Sequence, residues 1–474
     1  MKKESVFHIA FGAFLLLFVF FKWSQLSLPF FWDESWVYGP ALQLMAKDGP
    51  GLLPNDLHDW YSRGHPLLFH FLGSTWIKLF GSSLPVIHGF ALSVSILYLV
   101  AVYWVAGRLF GWKAGIGAGL LVAAQPAFIA QSTMVMPEIF LAATTLAGFY
   151  FLIRKKYMLT AFAGSLAVLT KETGLAIFGS FMIYWMLITL KNKQEFKLRK
   201  SLTEFLMLCI PFLVFGIFLI IQYFQKGWFF YPAHVGMIDL TWSSISHKLE
   251  IIYKTLFVSS GMIAILLFSV SSTVDELVAR KKLSPELKNF LLPGLLLLVL
   301  FSLFSAVNFF TNRYLLPLSA IVLIPCAVLI VGSRRPDWMK LAIFILLMSF
   351  SLSYSVLPQN HRVGDTSMGY VDGIRVNQDC INWMVNNDLQ KDKVLTHFLM
   401  QIQLSNASSR YLEKEHEIRD VVTAWQDGVQ WVVYSNFEKS FNLDQLKQEH
   451  PLELVQRFES GKAFTEIYKV SITY

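Results

Sequence analysis

The sequence predicts a polytopic α-helical membrane protein that ends in a small α/β domain outside the membrane. Three observations support this prediction. Of the 474 residues, 55% are hydrophobic and only 15% are charged, whereas soluble domains carry about a quarter charged residues. Apolar runs near the ~20 residues needed to cross a bilayer recur as far as residue 357. Beyond that point the composition becomes that of a soluble domain.

About eleven apolar runs are candidate transmembrane segments. The first follows two lysines but lacks a small-residue cleavage site after it, so we interpret it as a retained helix rather than a signal peptide. The runs lie at approximately 6–24, 84–106, 114–131, 137–153, 157–170, 174–190, 202–222, 251–271, 289–307, 315–332 and 340–357.

Basic residues fall in short clusters between these runs. If the segments alternate across the bilayer, the clusters share one side, which the positive-inside rule assigns to the cytoplasm. The N-terminus is then cytoplasmic and the C-terminal domain extracytoplasmic, and the compact loops favour a bacterial cytoplasmic (inner) membrane. The net charge of +8 does not indicate nucleic acid, because the basic residues form no single patch with interleaved aromatics. The clusters are Lys2–Lys3, Arg108 with Lys113, Arg154–Lys156, Lys191–Lys200, Arg280–Lys282 and "GSRRPDWMK".

The composition predicts two domains, a transmembrane domain over 1–357 and an extracytoplasmic α/β domain over 358–474. Within the second, residues 371–390 have helical spacing, and "KVLTH", "QWVVYS" and "FTEIYKV" have the character of short strands. The three cysteines lie far apart, so they imply neither a disulfide framework nor a metal knuckle.

The first extracytoplasmic loop, from about Gln25 to Leu84, is longer than the others. Two interfacial helices are expected in it. The first follows Asp33 and stops at Asp48-Gly49-Pro50, and the second runs from Pro66 to Phe80. We interpret His70, Lys78, His234 and Asp239 as solvated or interfacial.

Ionisable and polar residues gather where the segments meet the extracytoplasmic side. Charges at membrane depth are costly and normally mark a pathway or a site. The pattern therefore predicts a polar chamber roofed by the first loop and the terminal domain. Its members are Asp33, Glu34, Arg63, His65, Glu138, Lys171, Glu172, Arg313 and Tyr314.

Each of these residues also has a structural interpretation. Asp33 is a favoured helix cap, and His65 with Pro66 is a typical helix start. Lys171 is placed where a lysine snorkels to the interface. Glu138 suits the N-terminus of its own span, where a carboxylate favours the helix dipole, and Arg313 suits a topological or headgroup contact.

The chamber suits the transfer of a sugar from a lipid-linked phosphate to an acceptor hydroxyl. Direct displacement at the anomeric carbon needs one carboxylate to accept the proton of the acceptor, and Asp33 is the candidate base. The phosphate leaves as an anion, so it requires positive charge rather than an acid. Lys171, Arg313 and Arg63 are the candidate cations. A single displacement of this kind inverts the anomeric configuration.

The order of several motifs makes the chain resemble a known superfamily. "WDESW", "RGHPLLFHFLG", "MVMPEIFLAATTLAGFYFLIR", "LAVLTKETGLAIF" and "NRYLLPL" occur in that order on one side of the membrane. This arrangement resembles the GT-C superfamily of polyprenyl-phosphate-sugar-dependent glycosyltransferases, and within it the protein O-mannosyltransferases and the lipid A aminoarabinose transferase. The resemblance covers most of the membrane portion.

The resemblance implies roles for individual residues. It makes Asp33 and Glu34 the catalytic acidic pair, with Asp33 as the base. Arg63 is expected to bind substrate as a cation for the phosphate. The other substrate-binding residues are positions that match the superfamily's motifs, and Lys171 among them is expected near the donor phosphate. They are His65 (with Pro66), Glu138 at a position that is often Asp, Lys171, and Arg313 with Tyr314. Members differ over metal use, so the cofactor stays unknown and a divalent metal between carboxylates stays open.

Other functions are compatible with parts of this pattern. A transporter or flippase of a lipid-linked substrate is the main alternative, but such proteins often show internal repeats and broken mid-membrane helices, whereas the charges here gather at span ends. A relative that has lost activity, or an oligosaccharide polymerase or ligase, is a second. The expected partners are the lipid bilayer, a polyprenyl-phosphate-sugar donor and an acceptor glycolipid, cell-wall polymer or protein. No motif encodes the sugar or selects among these acceptors.

Overall fold

The computed structural model describes residues 3–191, 198–278, 283–357 and 363–471. Several features predicted from the sequence lie outside these ranges. They are Lys2, most of the basic cluster Lys191–Lys200, the cluster Arg280–Lys282 and the domain boundary at residue 358.

The membrane portion is a bundle of helices. Its apolar runs become helical because only a helix or a closed barrel satisfies every backbone N–H and C=O group away from water. The helices are α1 (Lys3–Lys22), α2 (Gly39–Asp48), α3 (Asp59–Ser62), α4 (Leu68–Phe80), α5 (Leu84–Phe110), α6 (Trp112–Ala123), α7 (Pro126–Gln131), α8 (Glu138–Ile153), α9 (Tyr157–Thr170), α10 (Gly174–Lys191), α11 (Leu198–Lys226), α12 (Pro232–Val235), α13 (Trp242–Tyr253), α14 (Met262–Val278), α15 (Pro285–Val307), α16 (Leu316–Gly332) and α17 (Asp337–Val356).

Every predicted transmembrane run contains at least one helix. Within the described ranges, seven helical spans are long and apolar enough to cross a membrane, or eight if the bent pair Trp242–Val258 and Met262–Val274 is one span. The shorter apolar helices α6, α8 and α9 coincide with the other predicted runs. The chain is therefore a multi-pass membrane protein, while a number near eleven stays a prediction.

Helices α5 and α6 pack closely because glycine lines their contact. A Cβ added at Gly107 would lie 2.2 Å from the ring of Trp112, and one at Gly115 would lie 2.6 Å from the carbonyl oxygen of Tyr103. Small residues of this kind let helices approach closely in a bilayer, where dispersion contacts replace the hydrophobic driving force.

The two predicted helices of the first loop are present as α2 and α4. A π-helical turn, Glu34–Tyr38, leads into α2, and Gly49 with φ of 122° ends it. The expectation that His70 is solvated or interfacial is wrong: the imidazole is 1% exposed and stacks on Tyr38 with ring centroids 5.5 Å apart. The imidazole is covered because α4 packs against α2, where Gly73 lies against Leu42.

The C-terminal part forms a mixed sheet with helices. The order of strands is β2-β1-β3-β5-β4, with β1 parallel to β2 and β3, and β5 antiparallel to β3 and β4. The predicted helix and the three predicted strands fall on α18, β1, β3 and β5. The elements are α18 (Gly369–Asn386), β1 (Val394–Leu395), α19 (Phe398–Ser405), β2 (Val421–Val422), β3 (Trp431–Ser435), α20 (Leu443–Glu449), β4 (Leu452–Ser460) and β5 (Ala463–Val470).

The terminal domain rests on the first loop. The Tyr370 hydroxyl donates to Gln25 Oε1 at 3.0 Å, and the Phe30 N–H donates to the carbonyl oxygen of Ser409 at 3.3 Å. The rings of Trp36 and Phe398 meet edge to face, 5.2 Å apart. The loop that follows the first span is therefore held between the helical bundle and the terminal domain.

Candidate active site

A buried arginine lies at the centre of the site. Arg313, in the short turn Asn312–Leu315 before α16, is 2% exposed. Its Nη2 contacts Asp33 Oδ2, its Nη1 contacts Asp365 Oδ2, and its Nε lies 3.4 Å from Glu138 Oε1. One guanidinium thus holds carboxylates from the first loop, the start of α8 and the segment that enters the terminal domain. Arg313 therefore binds carboxylates of the protein, and the interpretation of Arg313 as a topological or lipid-headgroup residue is replaced.

Glu138 and Lys171 form a second buried pair beside it. Lys171 Nζ donates to Glu138 Oε1 at 3.0 Å, and the two side chains are 3% and 1% exposed. Burial by itself lowers the pKa of Lys171, but the charges of Glu138, Tyr314 and Tyr38 outweigh it and raise the pKa above its ordinary value. The ammonium therefore stays charged and does not snorkel; it lies 3.6 Å from the centre of the Tyr314 ring.

Asp33 is held at both oxygens yet remains accessible. Arg313 contacts Oδ2, the Trp36 indole N–H donates to Oδ1 at 3.2 Å, and the side chain is 23% exposed. The carboxylate makes no capping bond to the turn that follows. Trp32, just before it, has a φ of 53°, a conformation that is strained for a bulky residue and that concentrates at functional sites. Two lone pairs of Asp33 are left for another donor.

His65, Glu172 and His234 form a group that matches a divalent metal site. His65 Nδ1 and Glu172 Oε2 are 2.6 Å apart, and the nearest ligand atoms of all three residues lie within 4.8 Å of one another. Burial raises the pKa of Glu172, but His65 and Lys171 lower it to about 2. Burial and the charge of His65 lower the pKa of His234 to about 4. An ionised carboxylate and a neutral imidazole are the forms that bind zinc-like ions.

Arg63 lies among aromatic rings. Its guanidinium carbon is 4.9 Å from the ring centre of Trp36, 5.8 Å from that of Trp60 and 5.4 Å from that of Tyr231. Its backbone is left-handed, with a φ of 50°, because it ends α3. The cation is thus positioned by three ring faces.

Glu34 does not join the Arg313 cluster in the structure. It is 2% exposed, and its Oε1 accepts from the Val135 N–H at 2.7 Å and from His88 Nε2 at 3.0 Å. Its Oε2 accepts from the Phe31 N–H at 3.3 Å. These hydrogen bonds connect the first loop to α5 and to the turn before α8. The geometry therefore favours a structural role for Glu34, which holds the first loop in place.

A large cavity opens beside Lys171. Its volume is about 490 Å³. Its charged side chains come from the segments between the spans, and α10, α11 and α15 contribute apolar side chains. We call it the bundle cavity; among the residues lining it are Arg63, His65, Lys171, Glu172, His234, Tyr314, Leu175, Phe215, Leu219, Phe301 and Phe304.

The structure adds residues that the sequence analysis did not place in the site. Asp365 contacts Arg313, and His234 joins His65 and Glu172, two members of the predicted chamber. Asp365 is a lone acid in a polar stretch, and His234 lies in a short loop helix far along the chain, so neither carries a recognisable motif.

Comparisons with known proteins give one family match and a set of similar folds. The family described as dolichyl-phosphate-mannose-protein mannosyltransferase matches residues 64–221, less than half of the chain. This range includes His65, Glu138 and Lys171 and excludes Asp33 and Arg313. No curated protein matches the sequence of the chain.

The fold is similar to that of ArnT from Cupriavidus metallidurans. The structure of ArnT bound to undecaprenyl phosphate aligns with a TM-score of 0.59 at 13% identity, covering 98% of each chain. The apo structure aligns with a TM-score of 0.55 at 14% identity, covering 97% of this chain and 98% of ArnT. These findings confirm the predicted fold class. Together with the family match they agree with the predicted GT-C resemblance and support the predicted enzyme class, a membrane glycosyltransferase.

The buried cluster predicts an unequal response to two chemically identical substitutions. Glu138→Gln removes the charge that compensates Lys171 and Arg313, and breaking a buried pair costs about 3 kcal/mol of stability. We expect a clear fall in the thermal unfolding midpoint of the purified protein in detergent. Glu250→Gln breaks an exposed pair with Lys254 and should leave the midpoint unchanged. Equal midpoints for both variants would contradict a stabilising role of Glu138.

Proposed function

We propose that this protein transfers a sugar from a polyprenyl-phosphate donor to an acceptor hydroxyl at the extracytoplasmic face of the cytoplasmic membrane. One observation carries the proposal. Asp33, an accessible carboxylate, is fixed by Arg313 and Trp36, and the residues next to these two partners, Tyr314 in sequence and Arg63 against the Trp36 ring, line a cavity that joins cationic turns to apolar spans. In this proposal the N-terminus is cytoplasmic and the terminal domain lies outside, as the distribution of basic clusters favours.

The bundle cavity has the composition that a lipid phosphate requires. Phe215, Leu219 and Phe304 belong to spans and offer an apolar surface for a polyprenyl chain. Lys171 and Arg63 line the same cavity and offer positive charge to the phosphate. The structure of ArnT with undecaprenyl phosphate shows that this fold accommodates such a lipid in that protein.

The reaction is a single displacement. The oxygen of the acceptor hydroxyl attacks the anomeric carbon as the bond from that carbon to the phosphate oxygen breaks. Asp33 accepts the hydroxyl proton, and polyprenyl phosphate leaves with the bonding electron pair. Lys171 and Arg63 stabilise the charge that grows on the leaving phosphate. The product has the opposite anomeric configuration.

Arg313 acts through Asp33 in this mechanism. Its guanidinium already contacts three carboxylates and is 2% exposed, so few of its donors are left for a phosphate. We therefore assign Arg313 to positioning, and Tyr314, whose ring lies against Lys171, to the wall of the donor site. Glu34 positions the loop that carries Asp33.

His65, Glu172 and His234 would hold a divalent metal if one is required. Their side chains line the bundle cavity, so a bound ion would supply positive charge next to the donor phosphate. Without an ion, the hydrogen bond between His65 and Glu172 holds the first loop against the turn between α9 and α10.

Replacement of Asp33 gives the first test. Asp33→Asn retains the size of the side chain but cannot accept the proton, and its amide nitrogen cannot accept one of the two hydrogen bonds that Trp36 and Arg313 donate. Transfer should therefore fall by about 10²–10⁴-fold. The measurement is transfer of labelled sugar from a panel of synthetic polyprenyl-phosphate sugars to a total membrane extract, with protein in proteoliposomes.

Asp48→Asn is the matched control, since Asp48 is an exposed aspartate at the end of α2 in the same loop. This variant should retain wild-type transfer. Equal transfer by the Asp33→Asn protein would remove Asp33 as the base. No transfer by the wild type from any donor would instead favour a transporter of a lipid-linked substrate.

Replacement of Lys171 tests the donor site. Lys171→Gln removes a charge-assisted contact with the phosphate and should raise the KM for the donor at least about tenfold. Lys78→Gln, at an exposed lysine of α4, should leave the KM unchanged. A wild-type donor KM in the Lys171→Gln protein would show that the phosphate binds elsewhere.

A further inference from the structure

A second cavity opens at Asp33 between the first loop and the terminal domain. We call it the interdomain cleft; its volume is about 410 Å³. The first loop contributes Trp32, Asp33 and Trp36 to its lining, and the terminal domain contributes Phe398, Phe437 and Glu438. The side chain proposed as the base therefore faces a site distinct from the bundle cavity.

Glu438 is a buried carboxyl with one oxygen left unpaired in the part of the chain that the structure describes. The residue is 7% exposed, and its Oε2 accepts from the Leu399 N–H at 2.8 Å. Its Oε1 is enclosed and has no protein partner there. A buried polar atom without a partner is unfavourable, so a partner supplied by a ligand would remove that cost.

The acid–base state of Glu438 suits a ligand that both donates and accepts hydrogen bonds. Burial raises the pKa of this carboxyl to about 7, although the backbone N–H groups of Leu399 and Met400 favour the ionised form. Near neutral pH the carboxyl is therefore present in both forms. Hydroxyl groups match either form, because they donate to a carboxylate and accept from a carboxylic acid.

The interdomain cleft continues along the terminal domain. A neighbouring depression of about 650 Å³ shares Glu438, Lys439 and Ser440 with it. That depression is lined by three further rings and by amide and carboxylate groups, among them Tyr434, Phe441, Phe464, Asn442 and Asp444. The two depressions are therefore contiguous, and the second one extends the lining beyond the residues that surround Asp33.

We propose that the interdomain cleft binds the acceptor and that this acceptor is a carbohydrate, with one sugar hydroxyl at Asp33 and further sugar units along the terminal domain. The assignment rests on the proposed function. It specifies the substrate class of the same reaction and gives the terminal domain a role in selecting it.

The lining favours a sugar over an acyl chain. A sugar ring presents a C–H face that packs on aromatic rings, which carry negative charge on their faces. It also presents hydroxyls at its edges for Glu438 and Asp33. An acyl chain would fill the aromatic part of the cleft and leave Glu438 Oε1 without a partner. Aromatic walls with a few placed polar groups are typical of small-ligand sites.

The test uses two variants of the cleft and one control. Phe437→Ala removes a ring of the wall, and Glu438→Gln keeps the size of the side chain while removing its charge. Glu453→Gln changes an exposed glutamate on β4 of the same domain and serves as the control. With the fractionated membrane extract as acceptor, each cleft variant should raise the acceptor KM about tenfold, well beyond any change in donor KM. The control should match the wild type.

The acceptor class is tested on the extract itself. Periodate cleaves the vicinal diols of sugar rings, so an extract oxidised with periodate and then quenched should lose most of its acceptor capacity. The carbohydrate assignment would be overturned if the labelled sugar accumulated on protein side chains. It would also be overturned if the label accumulated on a fraction that periodate does not affect. Wild-type acceptor KM values in both cleft variants would overturn the assignment of the cleft.

A binding measurement separates this inference from the proposed function. Saturation-transfer NMR with water-soluble glycans released from the extract by mild acid requires no donor. Glycan signals that are seen with the wild type and lost with Phe437→Ala would support glycan binding in the interdomain cleft. If the same protein consumed no donor, only the proposed function would be contradicted. Absence of glycan signals with the wild type would overturn the inference.

Discussion

The buried contact between Arg313 and its three carboxylates is the constraint on which the rest of the site depends. A guanidinium that is 2% exposed is stable only when opposite charges surround it, because removing an ion from water costs several kcal/mol. Asp33, Glu138 and Asp365 come from the first loop, from α8 and from the segment leading into the terminal domain. Satisfying one charge thus brings three distant parts of the chain to one point.

That constraint also divides the tasks among the cations. Since Arg313 is occupied by carboxylates, the charges that line the bundle cavity, Lys171 and Arg63, are the ones available to a lipid phosphate. Lys171 shares Glu138 with Arg313, so a change at either cation alters the electrostatic environment of the other. The proposed donor site and the proposed base, Asp33, are therefore coupled through Glu138 and Arg313.

The sequence predicted the helical bundle well because hydrocarbon leaves the backbone little choice but a helix. It also predicted that Asp33, Glu138, Lys171 and Arg313 meet, because costly charges recur at the same ends of the spans. It did not predict Asp365, whose contact depends on how the terminal segment folds back, a tertiary event without local periodicity. Strand β4 was not predicted either. It is largely exposed, and its sequence shows only a weak alternation of apolar and polar residues.

The exposure of Asp33 in the interdomain cleft bears on how transfer competes with hydrolysis. The proposed base is 23% exposed, so it can take a proton from water as well as from an acceptor, and water is always present in an open cleft. An occupant packed against Trp36 and Phe437 displaces that water and strengthens the interactions around the carboxylate. The terminal domain supplies Phe437 and so completes the enclosure of the base. Occupancy of the cleft would then select transfer over hydrolysis, which gives a physical reason for a soluble domain to be built on a membrane-embedded catalytic site.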